Sequence, residues 1–301
     1  MNTPQSAIIP DHGQAAVFIE ADTAAQARGR MAQHCRNALD ELSKLQARFP
    51  DGQLGMTIAF GADFWHSLGH GGEGGGIKPF APLGGGLCPA TQCDLMIHIQ
   101  SARHAVNFAL AQAVLTVFGG DIKVQNETHA FRLLEDRGMD GFVDGTENPQ
   151  GEGNIRRVGV IAEGADAGGS YVLLQRYLHD LDKWQALGVA GQEAAVGRSK
   201  ADNEEFAKDV RLPESHLGRT NLKENGEGLK IVRRSLPFGT LTGEHGLQFI
   251  AYCARLHNIE AQLKHMFGET DGKIDLLLTH MSTVQRSAYY YAPSVERLRR
   301  L

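Results

Sequence analysis

Residues 15–21 (Ala-Ala-Val-Phe-Ile-Glu-Ala) form an apolar run of strand length. From Ala24 to Phe49 the period changes, with Ala27, Met31, Cys35, Ala38, Leu39, Leu42 and Leu45 recurring at helical spacing until Pro50-Asp51-Gly52 breaks the pattern. Residues 54–60 predict a second strand. In residues 93–100, Leu95, Ile97 and Ile99 alternate onto one face, which puts His98 on the other. Residues 103–118 predict a strong helix closed by Gly119-Gly120, and 122–132 returns to strand. Glycines at 69, 71, 72, 74, 75 and 76 mark a stretch too irregular for an element and too long for a tight turn. It has neither the Gly-Lys-Ser/Thr ending of a phosphate cradle nor a dinucleotide-binding spacing, so it reads as a loop.

The second half repeats the order more loosely. Strand patterns occupy 170–178, 229–234 and 246–253, helical ones cover 181–187, part of 190–208 and 258–267, and a faint last strand falls within 279–291. Strand, helix, strand, strand, helix, strand is the order of a ferredoxin-like unit, an antiparallel sheet with both helices on one face. The expected fold is therefore α+β, with two ferredoxin-like halves (βαββαβ): residues 1–150, ending in an acidic glycine loop, and residues 151–301, carrying most of a ligand pocket. The repeat is one of element order, not of sequence.

That loop, Gly138-Met139-Asp140-Gly141-Phe142-Val143-Asp144-Gly145-Thr146-Glu147-Asn148-Pro149, has no clean period. Gly141 and Gly145 bracket Asp144 and remove side-chain bulk where the backbone turns or approaches something flat and large. An Asp-Gly turn at the surface is the plain reading. Phe142 and Val143 oppose it, since they draw the acid inward, where a carboxylate must be paired, hydrogen-bonded or chemically employed.

Composition narrows the partners. The 301 residues are 42% hydrophobic and 22% charged, normal for a globular protein, and the formal net charge of -5 gives no electrostatic reason to expect nucleic acid or an anionic membrane. Cys35, Cys88, Cys93 and Cys253 form no C-x-x-C pair and no zinc set, which predicts reduced, buried thiols. The N-terminal segment encodes no export signal and no apolar run reaches membrane length, so a cytoplasmic location is expected.

Gly141 to Gly145, read as Gly-x-x-Asp-Gly, resembles the distal motif of the dye-decolorising peroxidases, a family of haem enzymes. The resemblance implies a dimeric α+β barrel-like arrangement, haem b at one per chain, and a homo-oligomer, dimer or larger. It implies hydrogen peroxide and small aromatic reductants as substrates. Cleaving a peroxide requires a proton to be moved between its oxygens and a positive group to stabilise the charge that develops; haem also needs an axial ligand. The resemblance assigns Asp144 and Arg233 to the distal side, with Ser235, two residues along the strand, as a hydrogen-bond partner of peroxide or water. Gly145 and Thr146 would lie against the cofactor.

Arg233 and Arg234 are adjacent in a strand and must point to opposite faces, so only one can reach a pocket; two solvated charges is the alternative. His216 is one of thirteen histidines, and by its residues alone more readily structural than a ligand. The family's proximal ligand stands where His216 does, after the acid loop and before the arginine strand. Asp275, flanked by Ile274, Leu276 and Leu277, is the candidate acceptor for the other imidazole nitrogen. Arg198, in Gly197-Arg198-Ser199-Lys200, would meet a haem propionate or sit in a solvated loop. Trp65, Trp184 and the tyrosines at 171, 177, 252 and 289–291 read as packing more readily than as electron relays. The seven residues after Ser294 are too few for the shell-loading extension of some relatives. Beside a peroxidase stand two other functions: iron removal from haem, and a non-enzymatic haem carrier or sensor.

Overall fold

Strand β1 (Ala15–Thr23) reads as a continuous apolar run because both of its faces are buried. Val17 and Ile19 face a core shared with helices, while Ala16 and Phe18 face a second core between layers of sheet. The other central strands divide their side chains the same way, which leaves little polar alternation for a sequence to display. A computed structural model describes residues 2–9, 13–70 and 72–301; Met1 and Gly71 of the expected glycine loop lie outside them.

The first half runs β1, α1 (Met31–Arg48), β2 (Gly55–Phe60), α2 (Ala62–Ser67), β3 (Leu95–Ser101), α3 (His104–Phe118), β4 (Ile122–Phe131). The second runs α4 (Glu152–Gly159), β5 (Ser170–His179), α5 (Leu181–Ala186), α6 (Gly188–Val196), α7 (His216–Thr220), the small hairpin β6 (Lys223–Glu224) and β7 (Glu227–Gly228), then β8 (Val232–Arg233), β9 (Leu236–Gly239), β10 (His245–Cys253), α8 (Leu256–Met266), α9 (Leu276–His280), β11 (Ser282–Ala292) and α10 (Val295–Leu298).

All ladders are antiparallel, in the spatial order β4-β1-β3-β2-β11-β5-β10-β8, with β9 continuing β8 along β10. Each half thus has its fourth strand beside its first, then its third, then its second, the ferredoxin-like order twice over. The halves join where Tyr291 of β11 pairs with Phe60 of β2. At the far ends β4 lies against β9 without a ladder among the described residues, so the sheet curls back on itself but does not close as a barrel.

Two sequence expectations change. The strand expected over 229–234 is only Val232–Arg233, and Pro237 sits in the separate β9. Helices α2, α4, α7, α9 and α10 were not visible, because four to eight residues are too few to establish a period. No helix among the described residues is long and apolar enough to cross a membrane.

Several polar groups inside the folded sheet are paired across it. Glu20 of β1, 1% exposed, accepts from Arg286 Nε at 2.8 Å and from the Tyr290 hydroxyl at 2.9 Å, tying β1 to β11. His98 of β3 shares 2.8 Å with the Tyr252 hydroxyl of β10, and burial, aided by the Arg234 charge, pushes its imidazole down to about 3. His98 is therefore neutral. We expect Glu20→Ala, which strands the Arg286 charge and the Tyr290 hydroxyl, to destabilise the fold by about 3 kcal/mol in urea denaturation. A loss within the scatter of ordinary surface substitutions would show that the tie between the halves carries no stability.

Candidate functional site

The acid loop is a tight hairpin. Arg137 bridges Val143, Gly138 N–H donates to Phe142 O at 2.8 Å, and Asp144 N–H to Asp136 O at 2.8 Å. Gly141 (φ +85°) and Gly145 (φ +84°) occupy the left-handed region that side chains disfavour, which is why glycine stands at both positions. Phe142, 4% exposed, packs against Trp184, whose Nε1 donates to Asp140 O at 2.9 Å. This apolar anchor turns Asp144 inward. Its Oδ1 accepts from Gly145 N–H at 2.6 Å and lies 3.5 Å from Arg233 Nη2.

Arg233 and Arg234 do point to opposite sides. Arg233 reaches the cavity beside Asp144, while Arg234 is fully buried and donates to the carbonyls of Ile8, Ile9 and Arg233. The Arg233 backbone is held by Asn148, whose Oδ1 accepts its N–H at 2.8 Å and whose Nδ2 donates to its C=O at 3.0 Å. Ser235 lines the same cavity, but its hydroxyl is engaged by the Ile250 N–H at 3.1 Å and the Ile250 C=O at 3.4 Å.

Across the cavity stands His216, the first residue of α7. Ser215 caps that helix by accepting from Gly218 N–H at 3.2 Å, and Arg219 fastens it to the Asp271 carboxylate and the His265 carbonyl. His216 Nδ1 lies 2.7 Å from Asp275 Oδ2. Asp275 is fully buried, and its other oxygen caps α9 by accepting from Leu277 N–H at 2.9 Å. Burial pulls the His216 imidazole down, but the charge and hydrogen bond of Asp275 outweigh it, so its pKa is raised overall. Nε2 has no protein hydrogen-bond partner among the described residues.

The cavity between these walls measures about 1470 Å³ counted out to its open mouth. Its lining is mostly apolar, from Leu173, Leu247, Phe249, Ile259, Leu263 and others, with Asp144, Thr146, Arg198, His216, Arg233 and Ser235 at its polar points. Arg198 is 7% exposed and already pairs with Asn203 O at 2.7 Å and Glu205 at 3.1 Å. Two candidates do not line it. Asp275 sits behind His216, and Gly145 lines an adjoining pocket that shares Asp144 and Ser235.

Several lining residues were missed. Leu173, Gln175 and His179 face the cavity with Tyr177 from alternate positions of β5, a period-two row whose first three members fall within 170–178 but of which only Tyr177 drew notice, as a packing residue. Gln175 also donates to the buried Cys88 sulfur at 3.2 Å. Asp140 is the other omission. Burial, opposed by the Phe142 N–H bond and aided by the Asp144 charge, pushes its carboxyl up to about 6.

The sign follows from that rise. The folded chain holds the Asp140 proton more tightly than the unfolded chain, so this group's contribution is fully present below the ordinary carboxylate range and is lost as pH climbs through about 6. Asp140→Asn keeps the acceptor for Phe142 N–H and carries no titration. We expect it to flatten the pH dependence of urea denaturation of the haem-free protein in that window and to raise stability at neutral pH by up to about 3 kcal/mol. An unchanged pH profile would show that the surroundings of Asp140 do not raise its carboxyl.

Comparison with known proteins addresses the chain as a whole. The family models described as Dyp-type peroxidase, N-terminal and C-terminal, match residues 5–132 and 135–297. A dye-decolorizing peroxidase of Brevibacterium linens is 33% identical over 98% of this chain and 82% of its own length; that of Rhodococcus erythropolis is 36% identical over 90% and 81%. Among solved structures, a dye-decolorizing protein from V. cholerae superposes with a TM-score of 0.91 at 38% identity, covering 98% of this chain and 99% of its own. A DypB variant from Rhodococcus jostii in complex with heme gives 0.92 at 30% identity, over 99% and 98%. With both family models matched and relatives above 30% identity over nearly its whole length, the chain belongs to the dye-decolorising, Dyp-type peroxidases, a family of haem-dependent enzymes.

Proposed function

We propose that the protein is a haem b peroxidase, with one haem per chain, that reduces hydrogen peroxide and oxidises small aromatic or dye-like donors. The observation that carries this reading is a single cavity with two unlike chemical walls. On one stands an imidazole backed by a buried carboxylate, and on the other a carboxylate 3.5 Å from a guanidinium. The cavity fits the cofactor in kind. Its apolar lining suits a flat macrocycle, and His216 Nε2, left without a protein partner, is the available iron donor. Arg198 and Thr146 would meet its polar edge. Residues 1–150 would then contribute the acid loop, and residues 151–301 the proximal wall and the arginine.

Bound haem supplies the redox chemistry that opens the oxygen–oxygen bond and later draws single electrons from the donor. The protein's part is charge and proton management. Asp144 carries a proton from one peroxide oxygen to the other, and Arg233 stabilises the negative charge developing on the leaving oxygen. Asp275, by accepting from His216 Nδ1, fixes the ring orientation and makes Nε2 a stronger donor. A haem carrier needs neither the proton shuttle nor the cation, so the Asp144–Arg233 pair favours the enzyme over the carrier or the iron-removing protein. The four cysteines are buried and unpaired, which supports a reducing, cytoplasmic setting.

His216→Ala should yield a folded protein with little or no bound haem, read from the pyridine haemochrome content; full occupancy with an unchanged Soret band would mean another residue holds the iron. Arg233→Leu should slow the reaction with hydrogen peroxide about a hundredfold in stopped-flow absorbance, with Asp144→Ala giving a pH-dependent loss that is smaller where water substitutes. Wild-type rates in both variants would return the carrier reading to favour.

A further inference from the structure

Arg233 sits where a sheet runs out. In the strand order β8 is terminal, paired with β10 on one side only. Along an antiparallel strand successive residues direct their backbone groups to alternate sides. Arg234 N–H points to β10 and donates to Ile250 O at 3.0 Å, so the N–H and C=O of Arg233 face the open edge. At this edge stands Asn148, 5% exposed, taking the N–H at 2.8 Å and giving to the C=O at 3.0 Å. One side-chain amide thus does what a neighbouring strand would do. Its orientation is fixed, because only the oxygen can receive the Arg233 N–H.

We propose that Asn148 is a positioning residue for the distal pair, docking the acid loop onto the arginine strand and so setting the separation of Asp144 from Arg233. The loop between the two attachment points is short and internally closed: Asn148 N–H donates to Gly145 O at 2.9 Å, so the four residues 145–148 form a turn starting directly after Asp144. A second tie, Lys230 Nζ to Glu147 at 2.6 Å, joins the same two segments but is half exposed and leaves the Arg233 backbone untouched. The Arg233 C=O has a further donor in Arg234 Nη1 at 3.1 Å, whereas among the described residues its N–H has Asn148 alone. The N–H contact is therefore the one whose loss frees the strand edge. Without it the Arg233 backbone is anchored only through its neighbours, and its guanidinium is no longer held beside Asp144.

This inference rests on the distal role given to Arg233 above, and the test separates the two. Site-resolved hydrogen exchange on the haem-loaded protein reads the clamp directly, and optical titration of the ferric protein with fluoride reads how well a cation is presented to a small anion in the cavity. In Asn148→Ala the Arg233 amide should exchange at least about tenfold faster, as expected where an edge N–H loses its acceptor, and fluoride should bind more weakly, with haem content unchanged. Asn148→Asp keeps an acceptor of the same shape, so it should restore the protection of the Arg233 amide that alanine removes. Unchanged exchange in Asn148→Ala overturns the clamp. Faster exchange with wild-type fluoride affinity, in a protein where Arg233→Leu does weaken fluoride, overturns its positioning role. If Arg233→Leu leaves fluoride affinity intact, the distal assignment of Arg233 fails and the positioning role falls with it, while exchange at the amide still reports whether the clamp exists.

Discussion

The constraint that governs this structure is that the middle strands of its sheet have no wet face. Helices cover one side and the sheet's own far half covers the other, so nearly every strand residue near the middle is withdrawn from water. A polar side chain there costs several kcal/mol unless its hydrogen bonds are met. Several of the polar residues that do occur are joined in cross-strand sets: Glu20 with Arg286 and Tyr290, His98 with Tyr252, Gln175 with Ser287. The cavity forms where the second half opens this packing between β5, α7 and α8, and it inherits rigid walls.

Those walls are electrically unlike. Beneath His216 the negative Asp275 is sealed from solvent and locked by a helix cap, so it cannot swing away from the imidazole. Opposite stands the Arg233 cation, and the acid beside it sits on a loop whose glycines and Phe142 anchor fix its course. An electron-rich donor on one side and an electrophilic group on the other is the polarity that heterolysis of a peroxide demands.

The long elements could be read from the chain because α1 and α3 carry several turns of one period and the central strands are long apolar runs. Element order then gave the repeated strand arrangement. Short helices could not be read: α7 holds His216 by a Ser215 cap and by Arg219 reaching Asp271, fifty-two residues away, and nothing local announces that contact. Alternation correctly separated Arg233 from Arg234 and put Ser235 on the cavity side. It could not tell that the Ser235 hydroxyl is spent on Ile250, since that depends on the register of β9 and β8 against β10. Asp140 and Asn148 lie in the very loop that stood out, yet their roles come from Trp184 and from a strand edge eighty-five residues on.

Burial of the four cysteines has a consequence under the proposed peroxidase function. Cys88 lies one hydrogen bond from Gln175 on the cavity wall, where a strong oxidant would arrive at each turnover. Peroxide attacks the thiolate, and burial holds Cys88 up at about 11 and Cys93 at about 12, so at neutral pH only about one Cys88 in 10⁴ is in the reactive form at any moment. Packing the thiols away thus acts as corrosion resistance.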